Sequence, residues 1–199
     1  MRGTPFALSV DSALTARHTD PKYPPQAMKK ALLVIDLQND YFPGGCFPLW
    51  NAQATLDNIV KAVARAKKIG AEVVHIQHVA DPQAGIAPFF NAGTSGVEIR
   101  PEVLAAAPQA PVVVKHYADG FYHTELEKIL AAHGVGELLV CGMMTQNCVT
   151  HTAISKAADK YKVSILPDAC TTVSQMIHLI ALNAVSTRLP LTPWEAALA

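Results

Sequence analysis

ALLVID, residues 31–36, is an uninterrupted apolar run that stops at a carboxylate. A run with no polar alternation reads as a strand covered on both faces, the situation of a strand inside a parallel sheet. Beyond it, a Pro-Gly-Gly turn at residues 43–45 leads into residues 53–69, where Leu56, Ile59, Val60, Val63 and Ala66 recur at helical spacing. Lysines and arginines take the other face of that helix, and Gly70 ends it.

The alternation continues along the chain. Strands are expected over 72–78, 111–115, 137–141 and 163–166, and helices over 124–133, 148–161 and 177–183, with room for an edge strand over 184–188. Strands separated by helices of this length imply right-handed crossovers. The expected fold is α/β, a three-layer α/β/α sandwich with a five- or six-stranded, mainly parallel sheet. The connection over 79–108 carries Pro82, Gly85, Pro88, Gly93, Gly96 and Pro101, and a connection that long in a compact domain is a lid or a binding surface.

With 199 residues, half of them hydrophobic, the chain is sized for one substantial core. Residues 28–199 are expected to form that domain, and residues 1–27, polar and weakly periodic, a flexible or added leader ahead of a natural start at Met28. The 16 basic and 16 acidic residues balance, so no basic stripe offers footing to nucleic acid or to an anionic membrane. No apolar run approaches the roughly 20 residues of a membrane-spanning helix. Cys46, Cys141, Cys148 and Cys170 lack metal-knuckle or redox-pair spacing, which fits a reducing cytoplasm.

In an open parallel sheet, ligands sit beyond the carboxyl ends of the strands. The residues found there are Asp36, His78, Lys115, the 142–148 loop and Asp168. Asp36, Lys115 and Cys148 thus converge from three strand ends: an acid or base, a fixed ammonium and a soft nucleophile. A thiol with an ordinary pKa of about 8.5 is activated by a nearby ammonium or by a helix N-terminus, and Cys148 is expected to open a helix. Its bland reading is a small buried hydrophobe, which is preferred for Cys46, Cys141 and Cys170. For Asp36 the bland reading is a turn cap. If partly desolvated, it would be a base of raised pKa unless a lysine offsets the shift. For Lys115 it is an amine snorkelling to water. Asp168 reads as structural, capping the helix after it or bracing neighbouring loops.

His75, His78 and Asp81 support a competing reading, a metal that polarises the substrate. Residues three apart on a strand face opposite ways, however, so His75 and His78 do not share an ion without a bulge. No metal is therefore assigned.

Three segments, VIDLQND (34–40), VKHYADGF (114–121, then Thr124 and Leu126) and VCGMMTQNCV (140–149, then Thr152 and Ala153), occur in order. Together they make the chain resemble the isochorismatase-like cysteine hydrolases, relatives of nicotinamidase and N-carbamoylsarcosine amidase. The resemblance implies a catalytic triad of Asp36, Lys115 and Cys148. It also implies a cis peptide at Met143–Met144, an oxyanion hole from the Met144 and Cys148 amides, and substrate contacts from Tyr41 and Gln38. The implied activity is hydrolysis of a small amide or ureido compound through a thioester, without a cofactor, in a homo-oligomer. Two departures stand out. HIQHVADP (75–82) lacks the nicotinamidase metal motif, and STRLPLTP (186–193) replaces an apolar last strand. Isochorismatase itself has no cysteine at the nucleophile position, so Cys148 favours amide or ureido chemistry. A catalytically silent binding protein on the same fold is the alternative of a different class.

Overall fold

The computed structural model describes residues 28–199; the expected leader at 1–27 lies outside them. In chain order the elements are β1 (Lys29–Ile35), α1 (Ala52–Lys68), β2 (Glu72–His78), α2 (Pro101–Ala106), β3 (Val112–Lys115), α3 (Leu126–Ala132), β4 (Val135–Met143), α4 (Thr150–Ala153), β5 (Lys162–Thr171), α5 (Gln175–Ser186) and α6 (Trp194–Ala197).

The sheet has five strands, all parallel, in the order β3-β2-β1-β4-β5. The apolar run Ala31–Ile35 is its centre. Ala31 through Ile35 are essentially excluded from solvent because β2 and β4 flank β1 and helices cover both faces. Right-handed crossovers put α1 and α2 on one face and α3 and α4 on the other. The amphipathic stripe of α1 buries Leu56, Ile59 and Val63 completely, each worth about 1.5–3 kcal/mol over exposure. No described helix is long and apolar enough to cross a membrane.

Successive connections run outward in opposite directions from β1 and β4, so the order reverses between these neighbours. That reversal opens a crevice at their carboxyl ends. Gly142, near the end of β4, has φ +122, and a Cβ there would lie 2.1 Å from the Ile35 carbonyl oxygen. Only glycine lets β4 pass this close to the end of β1.

Three expectations are corrected. The helix over 148–161 is broken. A wide one-turn segment, Thr145–Val149, runs into the short α4, and a 3-10 turn, Lys156–Lys160, follows with Ser155 as its cap. The strand expected over 163–166 runs on to Thr171 through Pro167, which an edge strand tolerates, with a register shift against β4. Residues 184–188 hold no edge strand, since α5 continues to Ser186. The tail instead returns along the outer side of β5, where Ile165 donates to the Pro190 carbonyl and Thr192 donates to Ile165. Asp168 is structural, as expected, and of the two structural roles it takes the bracing one: it accepts from the Trp194 amide of the tail at 3.0 Å, while Ser174 caps α5.

Candidate active site

Asp36 follows β1 in a left-handed conformation, φ 53, which aspartate adopts more readily than most residues, and its amide donates to the Ile76 carbonyl. Lys115 ends β3, where alternation turns Val113 and Lys115 inward and leaves Val112 and Val114 half exposed. The period of two therefore sends this lysine into the protein, and its amine does not snorkel to water. His78 ends β2 in register with Lys115. Cys148 sits within the turn that follows β4, beyond the Met143–Met144 peptide, which is cis.

These four residues meet at one amine. Lys115 Nζ lies 2.9 Å from Asp36 Oδ2, 3.0 Å from His78 Nδ1, 3.2 Å from the Tyr117 carbonyl oxygen and 3.2 Å from Cys148 Sγ. The side chains of Lys115 and Asp36 are fully buried, and Cys148 is 3% exposed. The other carboxylate oxygen, Asp36 Oδ1, is buried without a partner. Oxygen, nitrogen and sulfur atoms of Asp36, His78 and Cys148 lie within 4.8 Å of one another, around the ammonium.

The electrostatics follow from this packing. Burial opposes the charge on Lys115, but Asp36 and the sulfur outweigh it and hold the lysine above its usual range. Burial and the Asp36 carboxylate push the Cys148 thiol up, against the pull of Lys115. The expected activation is present only in part: Lys115 stands at 3.2 Å, but Cys148 lies inside the short helical run that starts at Thr145 and does not open it, and burial with Asp36 outweighs the pull of the lysine. Burial and the Lys115 charge hold His78 down at about 4, so its ring is neutral at physiological pH.

Tyr41 is 1% exposed and packs against Phe90 at 4.5 Å and Phe89 at 5.2 Å between ring centroids, and Phe90 lies 6.0 Å from the His78 ring. Asp36 and Cys148 both act electrostatically on the Tyr41 hydroxyl, which burial pushes up. Tyr41, Phe89 and Phe90 thus form one aromatic wall that reaches the His78 ring. The long 79–108 connection delivers Phe89 and Phe90 to this wall, and the Phe90 amide donates to Asp40 at 2.7 Å.

Gln38 does something other than line a pocket. Its amide donates to the carbonyls of His78 and Val97 and accepts from the His78 amide, all within 2.8 Å, and none of it is exposed. It braces the end of β2. His75 points into the core, 1% exposed, with both ring nitrogens unpaired, so among the described residues His75, His78 and Asp81 do not gather around one ion. Thr145 and His178 share a 2.9 Å hydrogen bond, and Thr172 donates to Gln146; these contacts pin the turn that carries Cys148. Sequence reading passed over the acceptor role of His78, the Tyr117 carbonyl, and Phe89 and Phe90. A pair of adjacent phenylalanines inside a Pro- and Gly-rich connection was the one signal present.

The isochorismatase domain matches residues 30–194. An uncharacterised isochorismatase family protein of Bacillus subtilis, YddQ, is 40% identical over 151 residues, covering 76% of this chain and 82% of that one. A streptothricin hydrolase of Streptomyces noursei is 35% identical over 72% of this chain and 54% of its own length, so the chain spans about half of that relative. Among solved structures, an isochorismatase hydrolase from Oleispira antarctica superimposes with a TM-score of 0.78 at 29% identity, covering 88% of this chain and 99% of that one.

Proposed function

The chain belongs to the isochorismatase family, and within it we propose a cysteine-dependent hydrolase of a small amide or ureido compound that works through a thioester. The observation that carries the reading is the buried ammonium of Lys115 between Asp36 Oδ2 at 2.9 Å and Cys148 Sγ at 3.2 Å. A structural ion pair does not need a thiol at its edge, and a merely buried cysteine does not need a carboxylate with a free oxygen beside it.

In this mechanism Asp36 takes the thiol proton as substrate enters, and Sγ adds to the carbonyl carbon. The amides of Met144 and Cys148 hold the oxyanion. The C–N bond breaks as Asp36 returns its proton to the leaving amine. Water, deprotonated by the same carboxylate, then cleaves the thioester and restores the thiol. Lys115 balances the negative charge throughout, so no step separates charge in a site where that would be costly. Tyr41, Phe89 and Phe90 bound the acyl group, which argues for a small and partly apolar one. A homo-oligomer in the cytoplasm completes the reading, supported by family resemblance.

The test is ammonia release from a panel of small amides and ureido compounds by wild type and Cys148→Ala. Wild type should turn over at least one compound and the variant none above background. Equal release by both would overturn the cysteine mechanism, and a silent binding protein would release none in either form.

A further inference from the structure

An ammonium carries three protons, yet four acceptors surround Lys115 Nζ within 3.2 Å: Asp36 Oδ2, His78 Nδ1, the Tyr117 carbonyl and Cys148 Sγ. One acceptor must go without. The two neutral ones, imidazole and carbonyl, keep the same acceptor strength whatever happens to the nucleophile. The other two alternate: Asp36 is charged while Cys148 is a thiol, and Cys148 is charged once Asp36 has taken its proton.

Resting on the hydrolase reading above, we propose that His78 is a positioning residue whose ring nitrogen fixes one Lys115 proton, leaving a single N–H to swing between Asp36 and Cys148. The proton balance is closed. The S–H bond breaks, an O–H bond forms on Asp36 at its unpartnered Oδ1, and Lys115 keeps all three of its protons. Its third N–H moves from the newly neutral carboxyl to the newly charged sulfur. The cluster carries one positive and one negative charge before and after, so proton transfer needs no inflow of counter-charge into a buried site.

Two consequences are specific to this arrangement. A ring that accepts from an ammonium at Nδ1 has no proton there, so His78 is locked as the Nε2–H tautomer. The Tyr117 carbonyl alone is also too few anchors. Without His78 the ammonium has two free N–H groups and reaches Asp36 and Cys148 together, which favours the thiolate in the resting enzyme. The charged and titratable groups facing the pair are Asp36, Lys115, His116 and Tyr41; His116 and Tyr41 contact neither the ammonium nor the sulfur through a hydrogen bond.

The experiment has two arms. Nitrogen-15 spectra of the wild-type protein should give His78 as neutral with an unprotonated Nδ1 across about pH 5–8. A proton on Nδ1 would overturn the proposal without any variant having to fold. In the second arm, the pH dependence of iodoacetamide labelling at Cys148 is followed by peptide mass spectrometry in wild type, His78→Leu and His78→Asn. Asparagine restores an acceptor near the place of Nδ1 and should track wild type. Leucine should move the midpoint down by about one pH unit, a tenfold change in thiolate at fixed pH. An unmoved midpoint in His78→Leu, or an equal shift in both variants, overturns the proposal. Neither arm requires turnover, so a failed hydrolase reading with a shifted midpoint is distinguishable from the reverse.

Discussion

Lys115 Nζ and Asp36 Oδ2 stand 2.9 Å apart with neither side chain reaching solvent, an ion pair joining the ends of β3 and β1 across β2. Both charges have been taken out of water, so each depends on the other to be tolerable where it is. The pair is a commitment of the fold as well as a feature of the site.

Breaking it from one side should therefore be severe. Lys115→Met leaves a buried carboxylate without a counter-charge and should destabilise by about 3–5 kcal/mol, while Asp36→Leu with Lys115→Met should cost much less than the two single changes together. Urea unfolding midpoints of the four proteins check this. Additive losses would mean that the pair is not coupled. The sign with pH follows from Lys115 being held above its usual range. Its contribution is complete below the unfolded lysine value and is lost as the pH climbs through the folded one, so the pair weakens in alkali.

Replacing the lysine has a second outcome. In Lys115→Ala the donor atoms of Asp36, His78 and Cys148, which lie within 4.8 Å of one another, lose the ammonium at their centre. An oxygen, a nitrogen and a sulfur in that space suit zinc. Competition against a chromophoric chelator should detect one zinc ion bound by the variant and none by Lys115→Ala/Cys148→Ala. Equal binding by both would place any zinc elsewhere.

His75 offers a test away from the site. Burial holds its ring neutral, with the Ala107 carbonyl pulling the other way without a hydrogen bond of normal geometry. A folded value below the unfolded one means that the stability contribution is intact above about pH 6.5 and lost as the pH falls toward the folded value. His75→Leu should remove this acid sensitivity and, by deleting two unpaired nitrogens, should cost little or stabilise by about 1 kcal/mol at neutral pH. Thermal midpoints at several pH values between neutral and mildly acidic read both effects; parallel curves for the two proteins would contradict the assignment.

The long connection is held to the site by Asp40, which accepts from the amides of Cys46 at 3.1 Å and Phe90 at 2.7 Å. Gly96 packs on this carboxylate so closely that a Cβ would fall 2.0 Å from Asp40 Oδ1. Gly96→Ala should therefore displace Asp40, loosen Phe90 and cost about 1–3 kcal/mol. On the proposed mechanism its effect on turnover should appear in KM more than in kcat, because Phe90 packs on Tyr41 and the His78 ring and has no part in the proposed proton transfers. A variant with wild-type Tm and KM would show that the connection is not anchored there.

The central strand was legible because five apolar residues in a row leave no solvent face, and the strand over 72–78 and the helix after β1 followed from the same kind of pattern. The rule that ligands gather at strand ends puts Asp36, His78, Lys115, the 142–148 loop and Asp168 on one rim, and the acid, ammonium and thiol among them mark Asp36, Lys115 and Cys148. What failed did so for local reasons. Pro167 reads as the end of a strand, yet β5 is an edge strand and takes a proline within its length. Residues 184–188, Ala-Val-Ser-Thr-Arg, are too short a stretch to tell strand from helix, and Val185 falls on the buried face of α5, which continues through Ser186. Cys148 looked like the first residue of a helix reaching 161, whereas the helical run already starts among the polar residues Thr145-Gln146-Asn147 and stops before Ser155, which caps a separate turn. The His78 role was out of reach, since it depends on β2 and β3 pairing His78 with Lys115, a register that no local spacing encodes.

A thioester mechanism requires carbon to be bonded to the Cys148 sulfur during turnover. Once a turned-over amide is in hand, rapid acid quench followed by intact-protein and peptide mass spectrometry reads this directly. The expected result is a mass increase equal to the acyl group, located on the Cys148 peptide, present during turnover and absent in Cys148→Ser. Steady turnover with no adduct at any quench time, in a protein whose Cys148→Ser form is equally active, would contradict it.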